Sequence, residues 1–336
     1  GPQYSPAVSS ESPSLEATQS ESERLNDWFE ERYEEELQFS PIQLTMLGRK
    51  ERYDEIDDIS AEAEDEQFDW RRGTVEAMER EFDYAALTPS AQISFDIWKY
   101  QFENEAANRE FRGNGYIFTQ FFGPQAWIPM ILSNFHRVDE PADMDAYIKR
   151  LGGAARAMNQ LIDRAQKYAT NGVRPPRFAY EGVLEQASAV ITGAPFSDGE
   201  PAALWTDANR KIDGLLESEK ITAEQADAYR EASREVLIGD FKNAYDRLIA
   251  WVESDIGQTN EVPAGVAQLP NGEAFYDQLL ASFTTTDMTA DEIHELGLVE
   301  VARLRAEMEA IKREVEFEGD LQAFFVFIRD DPRFYK

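Results

Sequence analysis

The chain has 336 residues, and its 65 Asp and Glu against 33 Lys and Arg give a formal net charge of −32. This charge argues against nucleic-acid binding and against docking on anionic lipid, because both partners would be repelled. A hydrophobic share of 42% is enough for a buried core and excludes disorder along the whole chain. The sequence contains no Cys, which excludes disulfides, thiolate metal ligands and Cys nucleophiles, and His136 and His294 are its only histidines.

The N-terminal stretch, residues 1–19, is predicted to be a flexible leader. It is rich in Ser, Pro, Gln and Glu, and it has too few large apolar residues to offset the entropy lost on ordering. Gly1 and Pro2 resemble the remnant of a cleaved purification tag, so that any export signal is expected to have been removed. A Ser/Pro-rich leader and the lack of Cys fit an exported, periplasmic or envelope lipoprotein. No run of about 18 apolar residues occurs, and we expect no membrane span.

The rest of the chain, residues 20–336, predicts one helix after another. Ser20 and Glu23 have the capping-box spacing at the start of the first helix, and Pro41 disfavours helix in the residue before it. Two further helices are predicted over residues 64–82 and 90–111. By contrast, residues 112–130 combine Gly, Pro and aromatic residues, which predicts a packed loop with short helical pieces.

The second part of the chain continues the same pattern. Helices are predicted over residues 141–171, 178–193, 200–217, 222–253 and 272–283, from 289 onward, and over 320–330. Thr222 with Gln225 and Thr289 with Glu292 supply capping boxes. No run of alternating strand residues and no fixed-period repeat occurs. The sequence therefore predicts an all-α fold, a large multi-helical domain with too many helices for a simple four-helix bundle.

The two histidines are the first candidates for chemistry. His294 is followed by Glu295, but a zinc H-E-x-x-H site needs a second His at the position occupied by Leu298. We therefore interpret His294 as a capping-turn residue with acidic neighbours. His136 follows the Gly/Pro-rich aromatic segment and has the residue type of a general base. Because spacing selects no partner for it, a structural hydrogen-bonding role is the preferred interpretation.

Acidic and aromatic groups give weaker signals. Paired carboxylates can hydrolyse glycosides, but among 65 acids adjacent pairs arise by chance and indicate solvated helix faces. None has calcium-loop spacing, and no phosphate-binding glycine loop or G-x-S-x-G elbow is present. The aromatic set within residues 112–130 could line an apolar cleft or fill the space between helices, and core packing is preferred. The set comprises Tyr116, Phe118, Phe121, Phe122 and Trp127.

A series of short motifs resembles one bacterial family in order and spacing. The motifs are residues 40–48 (SPIQLTMLG) with 53–55 (YDE), 136–138 (HRV) with 146–151 (AYIKRL), 265–276 (GVAQLPNGEAFY), 289–300 (TADEIHELGLVE) and 329–335 (RDDPRFY). Together they resemble the domain-of-unknown-function 885 family over residues 23–336. The segment 289–300 is the most specific of these matches.

The resemblance implies a mostly helical fold similar to gluzincin-type zinc metallopeptidases, in which a Glu-activated, zinc-bound water attacks a peptide or amide carbonyl. The family's zinc motif, His-Glu-x-x-Pro-Gly-His, lies in the C-terminal half of longer members, and nothing in residues 1–336 matches it. We therefore expect residues 20–336 to be a truncated N-terminal half, one half of a helical metallopeptidase-like fold. It would contain no cofactor or catalytic residue and would have the missing C-terminal half as its partner, with zinc in that half.

On this interpretation the chain forms one wall of a cleft for a peptide-like substrate. The cleft candidates are Gln120, Gly123, His136 and Arg150, although an ordinary salt bridge is the simpler role for Arg150. Two other classes stay open. One is a stand-alone acidic helical binding module without chemistry, and the other is a structural interaction protein of the cell envelope.

Overall fold

The computed structural model describes residues 14–336, and the part of the predicted leader over residues 1–13 lies outside the described residues. Within the described part the chain is all-α and contains no strand, which confirms the predicted fold class. The helices are α1 (Leu15–Leu37), α2 (Pro41–Met46), α3 (Ala61–Glu81), α4 (Pro89–Asn108), α5 (Pro124–Asn134), α6 (Pro141–Thr170), α7 (Arg177–Val190), α8 (Ala203–Glu217), α9 (Ala223–Val236), α10 (Lys242–Asp255), α11 (Gly272–Thr284), α12 (Ala290–Glu314) and α13 (Leu321–Asp330). The chain divides after Pro270 into two compact units.

Helix starts follow the capping residues of the sequence. Thr88 caps α4 with Pro89 in the first turn, and the predicted capping boxes at Thr222 and Thr289 are both formed. At the N-terminus, however, the Ser14 side chain accepts a hydrogen bond from the Ala17 backbone amide. Helix α1 therefore begins at Leu15, five residues before the predicted capping box, because Ser14 offers an earlier cap.

The main core of the first unit surrounds α6, a helix of 30 residues. Helices α5, α8, α9 and α10 pack against it, and α7 packs against α5 and α10. Apolar side chains on α6 recur at steps of three and four, and those of Met144, Tyr147, Leu151, Met158 and Ile162 have no exposed surface. The long amphipathic helix predicted from residue 141 is thus the central element of this unit.

A smaller core lies between α1, α3 and α4. Trp28 of α1 makes edge-to-face contacts with Phe82 and Trp98, at centroid distances of 5.8 and 5.9 Å. Leu25 and Met78 are fully buried beside them. These three helices therefore have an apolar centre of their own within the first unit.

Two segments differ from the sequence prediction. The packed loop with short helical pieces that was predicted over residues 112–130 contains the start of a longer helix, since residues 124–134 form α5. Pro124 occupies its first turn, where a backbone N–H would have no acceptor within the helix. The helix predicted over 222–253 is interrupted by a π-helical segment, Leu237–Phe241, where Gly239 has φ −92° and ψ −111°. Such a backbone break is invisible to hydrophobic periodicity, because the apolar spacing continues across it.

The second unit, residues 271–336, contains α11, α12 and α13. The rings of Phe317, Phe324 and Phe327 pack together, with centroid separations of 5.1–6.3 Å. Helix α12 is different, because none of its residues, all of which the structure describes, is buried. Its predicted apolar stripe, Val301, Leu304, Met308, Ile311 and Val315, is 40–66% exposed.

Candidate functional site

The four cleft candidates fall into two pairs at the two ends of α5. Gln120 and Gly123 precede this helix, whereas His136 follows it and contacts Arg150 of α6. An 11-residue helix is about 16 Å long. The sequence-predicted residues therefore do not converge on one point, and each pair is described by itself.

The first pair belongs to a loop that two glutamines fasten to the helices. The buried Gln125 donates a hydrogen bond from Nε2 to the Thr119 carbonyl (2.8 Å), and Gln186 of α7 donates to the Gln120 carbonyl (3.0 Å). Gln125 Nε2 also donates to Gln186 Oε1 (2.7 Å). Gln120 is exposed, while Gly123 is buried at the start of α5. The side chains of Gln125 and Gln186 thus hold the loop backbone at Thr119 and Gln120.

The aromatic residues of this segment divide between core and surface. Phe118 is buried, and Trp127 packs on the main core. Phe121 and Phe122 are 75% and 78% exposed, with their rings 4.6 Å apart. Core packing therefore accounts for only part of the aromatic set, because Phe121 and Phe122 of the loop are exposed.

A close approach between α7 and this loop gives a first prediction. A Cβ at Gly182 would lie 2.4 Å from the Gln120 Cβ, whereas one at Gly152 of α6 would meet nothing within 4 Å. We expect Gly182→Ala to displace the loop and lower the free energy of unfolding by about 1–3 kcal/mol. Gly152→Ala should raise it by up to about 1 kcal/mol, because alanine favours helix. Chemical denaturation of both variants checks this pair, and equal effects would contradict the prediction.

The second pair is part of a buried polar cluster. His136 is buried, and its Nε2–H donates to the Asp143 carbonyl (2.8 Å). Its Nδ1 accepts a hydrogen bond from the Arg150 guanidinium (3.1 Å). The imidazole also stacks on the ring of Tyr53, at a centroid distance of 4.1 Å. Both ring nitrogens are occupied, which favours the structural role of His136 over general-base chemistry.

The environment of His136 keeps it neutral. Burial, together with the charges of Arg150 and Lys211, lowers the pKa of its imidazole to about 4. At neutral pH the ring is therefore uncharged, and the single tautomer protonated at Nε2 satisfies both hydrogen bonds.

This pKa shift predicts that the free energy of unfolding decreases in acid. Between pH 6.5 and 4 the unfolded chain binds a proton at this position and the folded chain does not, so stability is present above pH 6.5 and is lost as the pH falls. The full loss would be about 3 kcal/mol, with a slope of about 1.4 kcal/mol per pH unit. We expect His136→Gln to remove this slope between pH 6.5 and 5 and His294→Gln, on the exposed start of α12, to retain it. Urea denaturation across this range measures both slopes, and identical pH profiles for the two variants would contradict the prediction.

Arg150 connects α6 to the segment 41–57. Its guanidinium donates to the Glu55 carbonyl (2.9 Å), the Thr45 hydroxyl (2.7 Å) and the Pro41 carbonyl (3.3 Å). Arg150 forms no ion pair with any carboxylate in the described part of the chain. The prediction of an ordinary salt bridge for Arg150 is therefore wrong. Burial lowers the pKa of Arg150 to about 10, which leaves it charged at neutral pH.

A second buried charge contacts α6 through Tyr147. Asp207 of α8 accepts hydrogen bonds from Lys211 (2.6 Å), from Arg210 (2.5 Å) and from the hydroxyl of Tyr147 (2.9 Å). Burial lowers the pKa of Lys211 in spite of its carboxylate partner, and burial together with Asp207 raises that of Tyr147. None of these residues was among the candidates predicted from sequence.

The residues do not fit a zinc site. Among residues 14–336, no group of three or more His, Cys, Asp or Glu side chains is placed to hold a metal ion. His294 is exposed, and the Thr289 capping box lies at the helix start beside it. No helix in the described range is long and apolar enough to cross a membrane.

Comparison with known proteins identifies the family. The model of the family described as "Bacterial protein of unknown function (DUF885)" matches residues 41–336, and the chain therefore belongs to this family. A comparison with curated proteins finds no match.

The fold is similar to that of a solved structure from another bacterium. It is described as that of "the putative lipoprotein from Colwellia psychrerythraea", and it is 16% identical with a TM-score of 0.73. The match covers 93% of this chain and 55% of that one, so the chain spans about half the length of its structural neighbour.

Proposed function

We propose that this chain is the N-terminal, non-catalytic half of a zinc metallopeptidase-like protein, in which it forms one wall of a cleft for a peptide-like substrate. The observation that carries the proposal is the exposed apolar stripe of α12. Large exposed apolar surfaces mark sites where another protein surface packs. The partner on this proposal is the C-terminal half of the complete protein, and the 55% coverage of the solved neighbour supports a protein of about that greater length.

Zinc and its ligands would belong to the C-terminal half, since the described residues offer no suitable group. This chain would contribute one wall of the cleft and contacts to the substrate, but no catalytic group. The loop, whose backbone is held by Gln125 and Gln186, supports such a role, because the exposed rings of Phe121 and Phe122 offer a large apolar contact area. The lipoprotein described for the neighbour supports an exported or envelope location for the whole protein.

The stripe on α12 gives a prediction for residues 1–336 by themselves. We expect this chain to bind an environment-sensitive apolar dye or to self-associate, and the double variant Leu304→Glu, Ile311→Glu to lose most of that signal. Ala302→Glu, on the same helix, changes the charge without removing a large side chain and should retain the signal. Dye fluorescence and sedimentation measure both effects. An inert monomer would contradict the prediction and favour the stand-alone binding module.

The function itself is tested on the full-length protein. We expect one tightly bound zinc per full-length chain and cleavage of a mixed peptide library, with neither property in residues 1–336 alone. Metal analysis and mass spectrometry of the library supply the measurements. A full-length protein without zinc or cleavage would overturn the proposal.

A further inference from the structure

A cavity of about 290 Å³ lies between the end of α5, the segment 135–140 and the middle of α8. Its volume is near the lower end of the range for small-molecule sites. Three cationic side chains line it, those of Arg137, Arg210 and Lys211. They are unexpected in a chain with a net charge of −32.

The three cations keep unused hydrogen-bond donors. Lys211 is buried and gives hydrogen bonds to Asp207 and to the Ser133 carbonyl (3.3 Å), so one of its three N–H groups stays available. Arg210 is 69% exposed and uses only one nitrogen, on Asp207. Arg137 is 77% exposed, and its side chain lies 3.9 Å from Asp139, which is too far for a hydrogen bond.

The neighbouring carboxylates are already occupied by other cations. Asp139 is bound by Lys50 at 2.9 Å, and Glu140 is bound by Lys220 at 2.6 Å. Both oxygens of Asp207 accept hydrogen bonds within the cluster. The lining itself carries three cations and one carboxylate, that of Asp139, and Asp207 lies next to it as the partner of Arg210 and Lys211. With both carboxylates counted, the cavity has a local excess of one positive charge.

We propose that this cavity binds the oxyanion group, carboxylate or phosphate, of a small anionic ligand. Arg137 and Arg210 approach the group from the open side with their planar donors, and Lys211 supplies a point charge at the base. The desolvation that binding requires falls mainly on Arg137 and Arg210, which are exposed, and a guanidinium group is more weakly hydrated than an ammonium group. The proposal does not depend on the metallopeptidase assignment, since every residue in it belongs to the described chain.

The test is calorimetric titration of residues 1–336 at pH 7 and low salt with two probes, inorganic phosphate and succinate. We expect saturable one-to-one binding of at least one probe, weakened at least tenfold by Arg137→Gln and by Arg210→Gln, and weakened by added salt. Arg234→Gln, which neutralises a half-exposed arginine on α9, should bind as the parent chain does. Phosphate binding alone identifies a phosphorylated ligand, and succinate binding alone identifies a carboxylate.

Arg137→Gln removes no hydrogen bond of the folded chain, and unchanged thermal unfolding of this variant establishes that any loss of binding is local. Absence of saturable binding for both probes would overturn the proposal. Binding that is equal in the parent chain, Arg137→Gln and Arg210→Gln would overturn it as well, because it would place the anion elsewhere.

Discussion

Replacing Arg150 with Met is expected to destabilise the first unit by about 3–5 kcal/mol. The guanidinium satisfies four acceptors at once, on Pro41, Thr45, Glu55 and His136. Methionine fills a similar volume but donates nothing, so these buried acceptors lose their partner. Natural domains are stable by only about 5–15 kcal/mol. This single substitution is therefore expected to remove a large share of the total free energy of unfolding.

The segment 41–57 should be the first part of the variant to open, because Arg150 is one of its main attachments to α6. Circular dichroism should show a thermal midpoint lower by roughly 10 °C, and hydrogen exchange should show lost protection in α2 before α6. The matched control is Lys149→Met, which removes an exposed cation one residue earlier on the same helix. We expect the control to stay within about 0.5 kcal/mol of the parent. Equal midpoints for the two variants would mean that the buried contacts contribute no net stability.

Much of the fold could be predicted from sequence because its signals are local. Capping residues such as Thr222 and Thr289 act within one turn, and the apolar spacing of α6 reports directly which face is buried. Two features of the fold were not predicted, because the local signals for them are absent or ambiguous. The π-helical interruption at Gly239 is a backbone event that leaves the apolar spacing intact, and the start of α1 depended on a choice between two Ser caps.

The candidate site was harder to predict, because its contacts join residues far apart in the chain. The pairing of His136 with Arg150 spans 14 residues, and that of Arg150 with Thr45 spans 105. The burial of His136 and Arg150 could not be read from residue type, since arginine is mostly exposed in folded proteins and histidine is intermediate. The resemblance to the family located His136 and Arg150 within shared motifs, but it did not indicate what they touch.

One available signal was missed. Leu204, Ala208, Ile212 and Leu215 form an apolar stripe on α8, and Asp207 and Lys211 lie within it at a spacing of four. Two opposite charges at this spacing inside an apolar face indicate a buried ion pair, because isolated charges would be too costly there. The pattern would have predicted the buried Asp207–Lys211 pair from sequence alone.

The largest effect in this region is expected for Asp207→Leu. Removing the carboxylate leaves the Lys211 ammonium buried without a counter-charge and deprives the Tyr147 hydroxyl of its acceptor. Breaking one side of a buried pair costs about 3–5 kcal/mol, whereas replacing both partners by apolar residues is often nearly neutral. We therefore expect the double variant Asp207→Leu, Lys211→Met to recover part of the stability lost in the single one.

Urea denaturation of the single and double variants gives the coupling energy between the two side chains directly. Asp213→Leu is the control on the same helix, since its partner Arg230 is partly exposed, and there we expect a change within about 0.5 kcal/mol. Without the Asp207 carboxylate the charge of Lys211 is also less favourable, so its ammonium should titrate at a lower pH than in the parent chain. A single variant as stable as the parent would contradict the prediction, because it would show that the water in the cavity compensates the charge of Lys211 without the Asp207 carboxylate.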